Sequence, residues 1–424
     1  MSLGLSNNRG YVWVWGYGGS DSPLGVTSDS EGHVCFPQMV PQLRDIVNVG
    51  CSIGANGAVT KSGVLYTWGK NYKFRLLQPI EDEIVPNPTI VKSLRGFCVE
   101  TVHFSEMHAC VKVIDGRILL WGCGNGGCLG DGCEYPHTSS SAIIAKHKGV
   151  DIIAKQVCLS TKATMILAND GDVYVSGENQ MGKLGLGKVH GCSEFIRVDL
   201  PKCMFISLGS LYSLVLTIDG IVFAFGSGIH GNLGIGKRVK IQYFPIAVPF
   251  PEGTKITYVS ALIEQPHPKS MILEECEGNE GPTSFAIDED GRLFAWGTSH
   301  KGKLGNCCGK VLCPKGCDEL VPVLIGGESR NTNEITHYLE GEYIVQAIGS
   351  HIHSAVLSKS GKLFTFGCGS DGRMGLDDYI YKGRKQRLKF YRSAPTAIET
   401  FQRENIHVSF FASSRNHMIC IGNK

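Results

Sequence analysis

Along this chain the apolar residues do not recur at helical spacing. They gather in short runs of about five, closed at both ends by glycine. Gly63-Val64-Leu65-Tyr66-Thr67-Trp68-Gly69 is typical, and residues 10–16, 116–122, 171–177, 220–226, 291–297 and 361–367 repeat it. Successive side chains of a strand point to opposite faces, so Tyr66 and Trp68 point one way and Leu65 the other. Both faces are apolar and both need cover, which stacking between two similar sheets supplies. Asp-Gly or Ser-Gly pairs open six of the seven runs, as at Asp115-Gly116, Asp290-Gly291 and Ser360-Gly361. Such pairs signal tight hairpins.

A second apolar run precedes each hairpin. Residues 104–111 and 348–357 are examples; equivalent runs end at Val59, Leu167, Leu216 and Ile287, and another spans 411–421. There are seven first halves and seven second halves, but they are out of phase. The pattern starts with a second half and finishes with a first half. The arrangement predicts a closed ring of seven sheets, with residues 11–16 completing the sheet begun by 406–421. Closure removes exposed sheet edges. Five runs continue to Leu-Gly or Met-Gly eight residues on, at Gly130, Gly185, Gly234, Gly305 and Gly375, and the first does so after nine, at Gly25. The second run lacks this feature and reads Lys70-Asn71-Tyr72-Lys73-Phe74-Arg75. The glycines that end the runs are 53, 53, 55, 49, 71 and 70 residues apart. The two long intervals place insertions at about 255–281 and 306–341 of one domain spanning 1–424.

Composition narrows the class. Glycine is 54 of 424 residues, against a usual ~7%. With 42% hydrophobic and 19% charged residues, the surplus serves folded turns at positive φ. A net charge of +2 excludes a surface that is strongly basic throughout, though not a local basic patch. No window of ~18 apolar residues predicts a membrane span, and the first residues lack the basic flank and apolar core of a secretory signal. The 17 cysteines read as reduced thiols. The expectation is an intracellular monomer, in nucleus or cytoplasm and not secreted.

The repeated Gly-x-[Val/Leu/Ile]-[Tyr/Phe]-x-[Trp/Phe]-Gly followed by x-Leu-Gly resembles the regulator-of-chromosome-condensation repeat family, over about 10–421. The resemblance implies an all-β, seven-bladed β-propeller closed by pairing the N- and C-terminal segments in one blade. Its founding member is a nuclear guanine-nucleotide exchange factor for the Ran GTPase that also binds nucleosomes. Other members are scaffolds, sensors or parts of ubiquitin ligases, and fold alone does not choose among them. The exchange factor inserts a wedge by lengthening one Trp-Gly to Leu-Gly turn; here the steps from Gly122, Gly177 and Gly226 are all standard. By resemblance, a GTPase would face Glu106, His108, His351 and His353, whereas Lys162 reverses the expected charge. The reading is a non-catalytic interaction platform for a Ran-like small GTPase or chromatin. Nucleotide exchange on Ran is the alternative.

Other motifs are weighed on their chemistry. Three Gly-x-Gly-x-x-Gly stretches begin at Gly122, Gly226 and Gly367, but none opens a helical pattern, so they read as blade turns. Cys307, Cys308, Cys313 and Cys317 could offer four thiolates to zinc; adjacent Cys307 and Cys308 are awkward co-ligands, and a loop with free thiols is the default. His351 and His353 share one face of a strand, where a structural hydrogen-bonding role outweighs metal binding. No Ser-His-Asp or paired-carboxylate set is forced together, so no enzyme chemistry and no cofactor is expected. All five tryptophans lie in the strand motif, which does not fit the photoreceptor branch. Residues 379–392 interleave Lys382, Arg384, Lys385, Arg387, Lys389 and Arg392 with four aromatics. Such a loop suits phosphates or acidic protein patches, and hence histones or DNA.

Overall fold

The computed structural model describes residues 10–19, 23–133, 135–262, 281–306, 318–326, 339–376 and 391–424. It forms seven four-stranded antiparallel sheets. Blade 1 runs Ile46–Ser52, Ala55–Thr60, Leu65–Lys70, Ile84–Ile90; blade 2 runs Val99–Phe104, His108–Val113, Ile118–Cys123, Thr138–Ile144. Blade 3 runs Ala154–Ser160, Ala163–Ala168, Val173–Glu178, Gly191–Arg197; blade 4 runs Cys203–Leu208, Tyr212–Thr217, Val222–Gly228, Val239–Ala247. Blade 5 runs Ile256–Ser260, Thr283–Asp288, Leu293–Gly297, Glu319–Leu324; blade 6 runs Ile344–Gly349, His353–Ser358, Leu363–Cys368, Tyr391–Ala397. Blade 7 takes His407–Ser413 and His417–Asn423 from one end of the chain and Tyr11–Tyr17 and His33–Met39 from the other. Tyr11 pairs with Gly422 and Gly16 with His417, so the closure read from the phase of the repeats is present.

Each blade's first strand touches the first strands of its neighbours around the centre of the ring. The strand glycines explain how blades stack. Gly375 has φ +67°, and a Cβ there would sit 2.8 Å from the indole nitrogen of Trp15 in the next blade; Gly234 stands in the same relation to Trp296, at 2.7 Å. The Leu-Gly step thus lets the aromatic of the following blade lie against bare backbone. The indole N–H then donates to a turn carbonyl of the preceding blade: Trp15 to Arg373 O (3.1 Å), Trp121 to Arg75 O (2.9 Å), Trp296 to Asn232 O (2.8 Å). The strand tryptophans are therefore core residues; Trp15, Trp68, Trp121 and Trp296 are fully buried.

Blade 1 departs from the expectation. Its turn contains the missing step after all, as Arg75-Leu76-Leu77, with Leu77 held at φ +53° in the glycine place. Lys73 (φ +53°) and Phe74 (φ +59°) are also left-handed. Two of the Gly-x-Gly-x-x-Gly stretches form short 3-10 turns after the third strand, at Asn125–Gly127 and Ser370–Gly372, while in the one at Gly226 the strand runs on to Gly228 before turning, in keeping with blade turns. The regular strands Ile256–Ser260 and Glu319–Leu324 fall inside the stretches expected as insertions. Among the described residues no helix is long and apolar enough to cross a membrane.

Candidate partner-binding face

The turns joining first and second strands gather at one end of the ring. In blades 2 and 7 their geometry comes from a Ser-x-x-His sequence. Ser105 Oγ accepts the backbone N–H groups of Met107 (3.2 Å) and His108 (3.0 Å), and faces His108 Nδ1 at 2.9 Å. His108 Nε2 lies 3.0 Å from Thr164 Oγ1 of blade 3, whose hydroxyl donates to Cys128 O at 2.7 Å. With that hydroxyl committed as a donor, Nε2 must carry the proton; the single Ser105 hydroxyl proton has both Nδ1 and His108 O within 2.9 Å. Ser414 and His417 repeat the device, with Nε2 donating to Asn56 Oδ1 of blade 1 at 2.7 Å. The serine fixes the tip and the imidazole fastens it to the next blade.

These imidazoles are buried and neutral. Burial pulls His108 down to about 3 and His417 to about 4, and it holds His353 well below the usual range. His108 and His353 are 0% exposed. His353 Nε2 meets Ser413 Oγ at 3.1 Å. Neither ring lies where a partner could touch it, so the structural role weighed for the repeat histidines is the one the packing supports. His351 is also buried, with its carbonyl accepting from Lys303 Nζ at 3.0 Å. Of the four residues expected to face a GTPase, Glu106 is the one that reaches solvent.

Glu106 lines a cavity of about 20 Å³ together with Cys51, Ser52, Phe104 and Ser160, which brings the tips of neighbouring blades to one place. Burial raises its carboxyl above the usual range, while Arg75 and Arg415 oppose the shift. Its own carbonyl accepts from Arg75 Nη1 at 3.2 Å. Lys162, the charge reversal, is matched locally: its ammonium meets Glu178 Oε1 at 2.8 Å. Glu106 and the pair His351 and His353 belong to blades 2 and 6 respectively, not to one cluster.

Sequence reasoning missed the cations one residue before the Leu or Met of the repeat. Arg75, Lys183, Lys303 and Arg373 are all buried. Three reach forward to hold the next tip by its backbone: Arg75 to Glu106 O, Lys303 to His351 O, and Arg373 to Arg415 O (2.8 Å). Lys183 instead meets Ser160 Oγ of its own blade at 3.1 Å, and burial draws its ammonium down to about 8. A basic residue recurring at one place in the repeat was the available signal.

The other candidates are quickly placed. Arg392 lies in the outer strand of blade 6, opposite Gly367. Lys382, Arg384, Lys385, Arg387 and Lys389 lie outside the described residues, as do Cys307, Cys308, Cys313 and Cys317. Among the described residues no group of His, Cys, Asp and Glu is placed to hold a metal ion.

The assembly is a closed seven-bladed propeller whose tips are fastened blade to blade. Comparison with known proteins agrees. The family model of the regulator of chromosome condensation (RCC1) repeat matches residues 219–261 and 360–421. The same motif recurs in the remaining blades. The mouse E3 ubiquitin-protein ligase HERC2 is 31% identical over 161 residues, covering 36% of this chain and 3% of that protein. The chain thus spans a small part of that relative's length. The ultraviolet-B receptor UVR8 of Arabidopsis thaliana is 25% identical over 390 residues, 87% of this chain and 75% of that protein. Among solved structures, Prp20p of Saccharomyces cerevisiae, studied with its binding to Gsp1p and histones, superposes with a TM-score of 0.77 at 16% identity, covering 99% of this chain and 93% of that one.

Proposed function

We propose that this propeller is a non-catalytic interaction platform, acting in the nucleus or cytoplasm, whose tip face holds a protein partner of the small-GTPase kind. The observation that carries the reading is Glu106, half-buried with the charges of Arg75 and Arg415 acting on its carboxyl, on a tip whose backbone the preceding blade clamps. A surface fixed before binding loses little freedom when a partner docks. Prp20p, alike in fold, has been studied with Gsp1p and histones as its binding partners, which supports a partner of that kind here.

Nucleotide exchange on Ran is the second reading. It requires no covalent chemistry, only a surface that competes with nucleotide and Mg²⁺, and a tip carboxylate such as Glu106 could supply one. The test mixes the protein with Ran loaded with fluorescent GDP and excess free nucleotide. The platform reading expects saturable binding, weakened by Glu106→Lys, with GDP release unchanged. Accelerated release, lost on Glu106→Ala and His351→Ala, would replace it with exchange. Absence of Ran binding, together with histone or DNA binding that is steeply salt-dependent and abolished by charge reversal at Arg384, Lys385 and Arg387, would transfer the function to the basic loop.

A further inference from the structure

The opposite face of the ring carries the hairpins between second and third strands and the segments leading from each outer strand to the next inner one. Charge there is sorted by sector. Around blades 1 and 2, residues 41–47, 60–64, 91–100, 112–117 and 145–155 hold nine Lys or Arg against four Asp or Glu. From the blade 3 hairpin to the entry of blade 6, residues 168–172, 198–203, 217–221, 248–256, 287–292 and 339–345 hold ten Asp or Glu against three Lys or Arg. Each sector is continuous through the backbone. Val99 N donates to Gly63 O, Ile114 N to Cys98 O and Ala154 N to Gly116 O on the basic side. Cys203 N donates to Gly171 O, Ile218 N to Lys202 O and Glu289 N to Lys255 O on the acidic side.

The ion pairs within each sector leave the excess uncompensated. On the acidic side Lys202, Lys255 and Arg292, and also Arg197 and Lys362 from the flanking strands, are held by carboxylates, which leaves five acidic groups in excess; exposed Asp199, Asp219 and Glu252 make no ion pair among the described residues. On the basic side Lys112, Arg117 and Lys146 are paired, while exposed Lys61, Lys92, Arg95, Lys148 and Lys155 are not. Both sectors also present large apolar side chains at their hairpins. Ile114 is 73% exposed and Val150 70% on the basic side; Ile218 is 62% exposed and Ile221 47% on the acidic side.

We infer that this face pairs with a second copy of the same chain. A two-fold axis lying in the face, along the boundary between the sectors, sets the basic half of each copy on the acidic half of the other. An isologous contact of this kind counts every complementary pair twice. It also covers the exposed isoleucines, whose burial favours association. Lone rim charges add little apiece, so specificity and orientation come from the two summed sectors. The pairing uses the face away from the tips and does not depend on the function proposed for them.

Sedimentation velocity on the full chain tests it. Wild type should dimerise at tens of micromolar in low salt, and its dissociation constant should rise ~10-fold or more as the Debye length shrinks toward 3 Å. Lys92→Glu/Arg95→Glu/Lys148→Glu should be monomeric, and so should Asp199→Lys/Asp219→Lys/Glu252→Lys; an equimolar mixture of the two should recover a dimer. All six positions are exposed, and circular dichroism of each variant checks that it folds. A wild-type monomer at every salt concentration, as the sequence led us to expect, would overturn the proposal. So would a salt-insensitive dimer, or a mixture that stays monomeric. Loss of association in the basic variant alone would overturn it too, assigning that half to a different acidic partner.

Discussion

The repeat histidines show how one residue type can look functional and be structural. His108 and His417 each fasten a tip to the next blade from a site where water cannot solvate an imidazolium, and burial holds them at about 3 and about 4. The unfolded chain protonates these groups near 6.5, so below that pH it binds protons the native state refuses. Their stabilisation is complete above pH 6.5 and is lost as the pH falls toward 4, at up to about 1.4 kcal/mol per pH unit for each. Urea unfolding between pH 7.5 and 5 should show this loss. His108→Asn/His417→Asn should be less stable at pH 7.5 yet shallower by about 2–3 kcal/mol per unit between pH 6 and 5. An equal slope would mean that the rings are charged in the native state. The histidine positions were legible in the sequence because they recur. The basic residue before the Leu or Met recurs too, but the clamping roles of Arg75, Lys303 and Arg373 were not legible, since Lys and Arg are ordinarily exposed and recurrence alone does not say that these are buried.

At the level of the turn, what the fold needs is a backbone conformation rather than a residue name. Six blades meet the left-handed requirement after Leu or Met with glycine; blade 1 meets it with Leu77 at φ +53°. A reading keyed to the letter Gly therefore saw a missing step, while the chain retained the conformation. Lys73 and Leu77 share the same φ but differ in burial, since Lys73 is substantially exposed and Leu77 is 6% exposed. Glycine should relieve strain at both. Lys73→Gly gives up only a part-exposed ion pair with Glu81 and a distant contact with the Tyr72 ring, each worth little, and should gain about 0.5–1 kcal/mol. Leu77→Gly also forfeits a buried side chain worth about 2–5 kcal/mol, so its net effect should be a loss. Thermal unfolding of the two variants should move in opposite directions, and a shared direction would show that φ does not limit this turn.

Across the whole molecule, ring closure was legible and the sorting of charge was not, for related reasons. Closure follows from the order of half-repeats along the chain, which is a property of sequence. The acidic and basic sectors are assembled from segments far apart in sequence that the topology brings onto one face, so no local run announces them. Closure also has a mechanical consequence. The strand Tyr11–Tyr17 carries Val12, Val14, Trp13 and Trp15 into the core and covers an edge of the strand His417–Asn423. Deleting residues 10–17 removes those contacts and leaves an unpaired edge on an otherwise closed ring, and the product should lose cooperative unfolding and aggregate. Because Tyr11 pairs with Gly422, a short linker from Lys424 to Gly10 should span the gap. A permutant joined there and reopened at Gly253, which is exposed and where an added Cβ would meet nothing within 4 Å, should keep the same sheet content by circular dichroism. It should unfold in one transition at or above the wild-type temperature, since the closing blade is then continuous chain. A deletion variant as stable as wild type, or a permutant that does not fold, would mean that the shared blade does not hold the ring together.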